Sequence, residues 1–176
     1  LRQSADPTNK LIYTERISSN KTEALFLILT LIFIFLLICR VNSVSLDWVA
    51  LLFGCGALIF LFYSVNYRIL LIRLTPESLK LTFGIFTWMV PVDNIQECSL
   101  DELPIIMRYG GAGIQFMTIR KRYRASFNFL EYPRVVIALK KKVGPVKDIS
   151  FSTRRPEEIM KYIRGSMEAN LPGSQG

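Results

Sequence analysis

The chain has 176 residues and contains no histidine. That removes the commonest general base and the commonest side-chain metal ligand, and it excludes a histidine-dependent catalytic triad within these residues. Cysteine is scarce: Cys39 and Cys55 lie inside apolar runs and Cys98 stands alone in the remainder, so no disulfide framework is expected. Acidic residues are few, 14 against 22 lysines and arginines, which leaves a formal charge of +8. Proline is missing from both long apolar runs, so nothing in them breaks a helix.

Those two runs dominate the rest of the reading. Residues 24–39 (ALFLILTLIFIFLLIC) and 48–65 (WVALLFGCGALIFLFYSV) carry no charge, and only RVNSVSLD separates them. A bilayer core takes roughly 20 residues of helix, with about 17–25 tolerated. The second run meets this directly and the first does so with its flanks, so a two-span hairpin over 23–66 is expected. A pair of buried core helices and a cleaved signal peptide are the alternatives. The first would need a larger soluble shell than the chain supplies, and the second is followed at once by another apolar run. The Gly54-Cys55-Gly56 step is not the four-residue spacing of close helix pairing and is expected only to thin one face of its helix.

Arg2, Lys10, Arg16 and Lys21 precede the first run, Arg40 alone sits in the link, and Arg68 and Arg73 follow the second. Short flanks rich in lysine and arginine stay in the cytoplasm. The expectation is a multi-pass protein of the cell (plasma) membrane, with both termini cytoplasmic. Trp48 is expected at the outer interface and Tyr63 and Tyr67 at the inner one.

Residues 1–22 are polar apart from Leu11-Ile12-Tyr13 and read as a cytoplasmic tail, with a short strand or interfacial segment as alternatives. The sequence opens on Leu1, as expected of a processed or incomplete start. Residues 67–168 have ordinary globular composition and the length of one small domain. Strands are expected over 67–74, 79–83, 86–91, 96–100, 114–119, 123–129, 134–139 and 146–151. Asp93 is expected to cap a single helical turn. Period-2 alternation places Tyr123, Ala125, Phe127 and Phe129 on one face. Strands at such short spacing predict an antiparallel sheet closing on itself. Over 156–167 the period becomes helical, with Pro156 at a first helical position, acids in the first turn, and Ile159, Tyr162, Ile163 and Met167 as one apolar stripe. Residues 169–176 read as a tail.

The segment YRILLIRLTPESLKLTFGIFTWMVPVDNI (67–95), with its L-T-x-x-S-L opening, Gly84 turn and W-x-x-P-x-x-x-I spacing, and the closing ISFSTRRPEEIMKYI (149–163), resemble a prokaryotic family. In that family a transmembrane hairpin precedes a bacterial pleckstrin-homology-like (PH-like) domain. The resemblance implies a membrane α-helical hairpin plus an α+β soluble domain, an antiparallel PH-like β-barrel or sandwich capped by a C-terminal helix. It implies an anchored interaction or scaffold module and supplies no catalytic residue.

The strongest candidate chemistry is electrostatic. Residues 120–155 hold eleven basic and two acidic residues, a balance of +9 that accounts for the whole net charge. Arg120, Lys121, Arg122, Arg124, Lys140, Lys141, Lys142 and Lys147 are therefore the candidate contacts for anionic lipid headgroups or an acidic partner. A solvated face is the bland alternative. In PH domains that bind phosphoinositides, basic residues flank the first hairpin turn; here that turn is Thr75-Pro76-Glu77-Ser78, which departs from the pattern. Three weaker constellations read structurally. Arg108-Tyr109-Gly110-Gly111-Ala112-Gly113 precedes a strand instead of a helix, so a turn or bulge is expected and not a phosphate cradle. Asp93, Glu97, Asp101 and Glu102 read as a solvated acidic loop. Phe127, Phe129 and Tyr132 beside Arg122 and Arg124 suit base stacking on paper, but their alternation predicts burial.

The resulting expectation is a non-catalytic membrane-anchored module, not an enzyme. It needs no cofactor or metal, binds a protein partner, a second copy or anionic lipid, and does not bind nucleic acid. An accessory or regulatory subunit of a larger membrane complex is the alternative, with an enzyme behind it.

Overall fold

The computed structural model describes residues 11–44, 46–101, 113–119, 121–129 and 131–170. Strand β1 (Tyr13–Ser18) is followed by a hairpin of α1 (Asn20–Val44) and α2 (Trp48–Asn66), then β2 (Ile69–Leu74), β3 (Ser78–Phe83) and β4 (Phe86–Pro91). A 3-10 turn at Val92–Asn94 leads to β5 (Ile95–Leu100), β6 (Gly113–Ile119), β7 (Arg122–Asn128), β8 (Arg134–Val143), β9 (Val146–Ser152) and α3 (Pro156–Ala169).

The two long helices are an insertion between neighbouring strands. β1 pairs antiparallel with β2, and Ser18, just before α1, is the cross-strand partner of Ile69, just after α2. The hairpin therefore leaves and rejoins one end of one sheet. Along their length the helices pack on each other, and neither lies along a sheet. Both are long and apolar enough to cross a membrane, and only 11% of the most apolar window of each is buried. A core helix pair would be mostly covered. Thr30 lends its hydroxyl to the Phe26 carbonyl, which satisfies that polar group inside the helix. At the far turn, Asp47 accepts from the Ala50 amide as the cap of α2 and pairs with Arg40 at 2.6 Å. A Cβ at Gly56 would overlap the Phe33 ring, so this glycine admits the ring where the helices meet.

The expected tail over residues 1–22 gives way, over Tyr13–Ser18, to a sheet strand. Its alternation is clean, with Tyr13, Glu15 and Ile17 inward and Thr14, Arg16 and Ser18 outward. A carboxylate at an inward position hides that pattern in the sequence. The structure satisfies it: Glu15 accepts from the Tyr13 hydroxyl at 2.8 Å, the Thr153 hydroxyl at 2.6 Å and the Arg154 amide at 2.9 Å. β1 is thus tied to the segment between β9 and α3.

The expected closed antiparallel sheet is instead two sheets, ordered β1-β2-β3-β4 and β5-β8-β9-β7-β6. β7 and β9 run parallel, with Ala125 beside Ile149 and Phe127 beside Phe151. Local alternation fixes which face of a strand is apolar, but not which strand it lies beside. One core joins the sheets: Leu70, Ile72, Leu81 and Phe83 from the first meet Phe127, Phe129, Ile137 and Phe151 from the second. Helix α3 covers the β5 side through Ile159 and Ile163, with Pro156 in its first turn. The layout is α+β.

Tyr67 is not an interfacial ring. It is 8% exposed and links hairpin to core, with ring centroids 5.0 Å from Tyr63 and 5.0 Å from Phe83, and Phe83 a further 5.0 Å from Phe129. The 3-10 turn forms where expected, but Pro91 stands at its cap position and Asp93 within it.

Candidate interaction surface

The end of the sheets nearest the helices is defined by four contacts. Gly84 abuts the Asn66 carbonyl, and Gly113 faces the Tyr67 ring. Glu131 accepts from the Ser19 hydroxyl, and the Tyr132 hydroxyl donates to the Ser18 carbonyl at 3.0 Å. Gly113 pairs with Asn128 at this end of the second sheet, while Ile119 pairs with Arg122 at the other end of the same two strands. Six residues at about 3.3 Å each put the β6–β7 tip about 20 Å further from the helices. The β8–β9 tip lies at that remote end too, since Arg134 pairs with Ser152 near the helices and Val143 with Val146 at the tip.

The basic residues singled out from the sequence divide into two groups at that remote end, with Arg120 outside the described residues. Lys121, Lys140, Lys141, Lys142 and Lys147 are exposed, and among the described residues no ion pair reaches any of them. Asn94 holds the lysine run in place where the β8–β9 register shifts: its side chain accepts from the Lys141 amide at 2.8 Å and donates to the Lys141 carbonyl at 3.0 Å. The Lys140 ammonium donates to the Asp93 carbonyl at 2.7 Å. Lys121 sits in the β6–β7 turn at φ 64.

Arg122 and Arg124 belong to a different arrangement. The Arg122 guanidinium pairs with Asp148 at 2.7 Å, and Arg124 reaches Asp101 at 3.3 Å and Asp148 at 3.8 Å. Asp101 in turn pairs with Arg134 at 3.0 Å. Arg124, Arg134, Asp101 and Asp148 are all buried. Arg124 is therefore a structural charge, not a surface cation. Asp101 departs from the expected solvated acidic loop, and Glu102 lies outside the described residues.

Sequence reasoning missed this network because it read Arg124, Ser126 and Asn128 as the outward face of an alternating strand. They do face away from the apolar core, yet they are buried. The parallel register sets Arg124 beside Asp148 and Ser126 beside Ser150, whose hydroxyl donates to that of Ser126 at 2.9 Å. The signal was present as two matched polar rows, R-x-S-x-N over 124–128 and D-x-S-x-S over 148–152. Only the strand pairing brings them together.

Phe127 and Phe129 are 1% exposed, which removes them as stacking platforms. Of the glycine-rich loop, residues 108–112 lie outside the described residues, and Gly113 opens β6 at φ 95 against the Tyr67 ring. Among the described residues no cluster of histidine, cysteine and acidic side chains could hold a metal. Burial pushes the Cys98 thiol up to about 12, so it is neutral and unreactive at ordinary pH. Comparison of the chain with known families, curated proteins and solved structures finds no match.

Proposed function

We propose that this protein is a non-catalytic, membrane-anchored interaction module at the cytoplasmic face of the cell membrane, with a PH-like soluble domain. The two-sheet core closed on one side by the C-terminal helix supports the PH-like reading. The far turn supports the orientation, since Arg40 there is balanced by Asp47 while the other cations among the described residues lie on the sheet side.

The observation that carries the function is the set of exposed lysines, with no ion pair among the described residues, about 20 Å beyond the helix bases. That distance from its own bilayer, against a screening length of about 8 Å at physiological salt, favours an acidic protein surface over the headgroups beside the hairpin as the partner of the cluster. The test is co-purification from native membranes in mild detergent, comparing wild type with a Lys141→Glu/Lys142→Glu/Lys147→Glu variant. A stoichiometric acidic partner that is lost in the variant and weakened by salt is expected. A partner retained equally by both proteins, or turnover of a small molecule in an unbiased screen, overturns the proposal.

A second reading, an accessory subunit of a larger membrane complex, is favoured by the hairpin surface. Thr30, Ile34, Leu37, Gly54, Ala57 and Leu61 line an apolar groove of about 420 Å³ along it, wide enough for side chains of a further helix.

A further inference from the structure

The β3–β4 turn is set against the end of α2. Phe83 pairs with Phe86, which leaves Gly84 and Ile85 as a two-residue connection, and only Gly84 has positive φ, at 59. That is the pattern of a type II′ hairpin turn. A Cβ at residue 84 would overlap the Asn66 backbone carbonyl, and Phe86 stacks on Tyr67 with centroids 6.3 Å apart. The turn is fixed beside the residue that follows the apolar run of α2.

Its composition is wrong for a turn in water. Hairpin tips favour Gly, Asn, Asp and Ser, whereas this one offers Ile85, 71% exposed, and Phe86, 43% exposed. The apolar run of α2, residues 48–65, is 18 residues long. Its rise of about 27 Å is no longer than a hydrocarbon core of about 30 Å, so Asn66 falls at the boundary. Lys21 and Arg68, at the bases of α1 and α2, have side chains 76% and 62% exposed. Basic side chains in such flanks suit the headgroup layer.

We propose that Ile85 and Phe86 form an interfacial wedge that enters the headgroup–acyl boundary of the same bilayer the hairpin crosses. The soluble domain is then held to the membrane at a second point beside the hairpin, with the lysine tips directed away. The inference rests on the membrane reading of α1 and α2.

The test uses the full chain in lipid vesicles with Cys39→Ala and Cys55→Ala, where buried Cys98 does not label. A single environment-sensitive fluorophore is attached at Ile85→Cys, Leu58→Cys or Lys142→Cys, all exposed positions. Quenching by lipids with a nitroxide near the headgroup is compared with quenching by aqueous iodide. The expected result is strong nitroxide quenching at residue 85, together with an emission blue shift relative to residue 142. Residue 142 is quenched by iodide alone. If residue 58 is shielded from iodide while residue 85 behaves like 142, the wedge is overturned and the membrane reading stands. If residue 58 also behaves like 142, both fall.

Discussion

Replacing Gly84 by alanine isolates the contact between the soluble domain and the base of the membrane hairpin. Two terms act. An L-residue at φ 59 pays a backbone cost of about 1–2 kcal/mol. The new Cβ also meets the Asn66 carbonyl, a backbone atom that cannot rotate aside, which adds about 1–3 kcal/mol as overpacking. Gly144 supplies the internal control: its φ is also 59, but a Cβ there lies 3.7 Å from the Trp88 ring, an ordinary contact. Gly144→Ala therefore carries the backbone term alone. With roughly 2–4 °C lost per kcal/mol in a chain of this size, Gly84→Ala lowers the melting temperature by about 4–20 °C and Gly144→Ala by about 2–8 °C. The assay is thermal unfolding in detergent, followed by near-ultraviolet circular dichroism. Equal shifts for the two variants would refute the claim that the β3–β4 turn bears on the end of α2.

Glu15→Ala leaves three donors without their acceptor, two of them the buried Tyr13 and Thr153 hydroxyls, and at roughly 1–3 kcal/mol for each buried orphan is expected to cost about 2–6 kcal/mol, with faster amide exchange over Tyr13–Ser18 by mass spectrometry; unchanged exchange would contradict the anchoring role. Asp148→Asn removes the shared partner of Arg122 and Arg124 and is expected to lower stability by about 3 kcal/mol in denaturant titration; no loss would mean that the network is solvated. Desolvation, followed by the hydrogen bond to Glu15, raises the Tyr13 phenol above its ordinary value of 10.0. The folded chain then holds a proton that the unfolded chain releases, so the contribution of Tyr13 to stability is intact below pH 10 and is lost as pH rises above it, read from unfolding midpoints; a Tyr13→Phe variant should lose that part of the slope and keep the part that the raised Cys98 thiol supplies. Native Cys98 should resist iodoacetamide at pH 8 and react after unfolding, since its thiol is pushed up to about 12.

Much of the architecture was legible because it is written locally. The eight strands expected after the hairpin correspond to β2 through β9, and the closing helix begins at Pro156 as its sequence requires. Gly84 marks a turn by its freedom at positive φ. What was not legible is what depends on distant pairing. A strand near Tyr13 stood only as an alternative to a tail because Glu15 occupies an inward position, and the donors to its carboxylate lie more than 130 residues away at Thr153 and Arg154. Tyr67 looked like an interfacial ring because amphipathic aromatics at span ends usually are, whereas here it bridges to Phe83. Arg124 looked like a surface cation until β7 was laid parallel to β9. The lysines at 140–142 and 147 were legible as charge, but their distance from the hairpin follows only from strand direction.

An anchored module at the membrane requires α1 and α2 to cross a bilayer as a hairpin inserted between β1 and β2. Sided labelling in sealed vesicles tests this most directly, using impermeant maleimide on Asn42→Cys or Lys142→Cys in the Cys39→Ala, Cys55→Ala chain. Residue 42, in the last turn of α1, and residue 142, in β8, are expected to be labelled from opposite sides. Labelling of both from the same side would contradict that crossing.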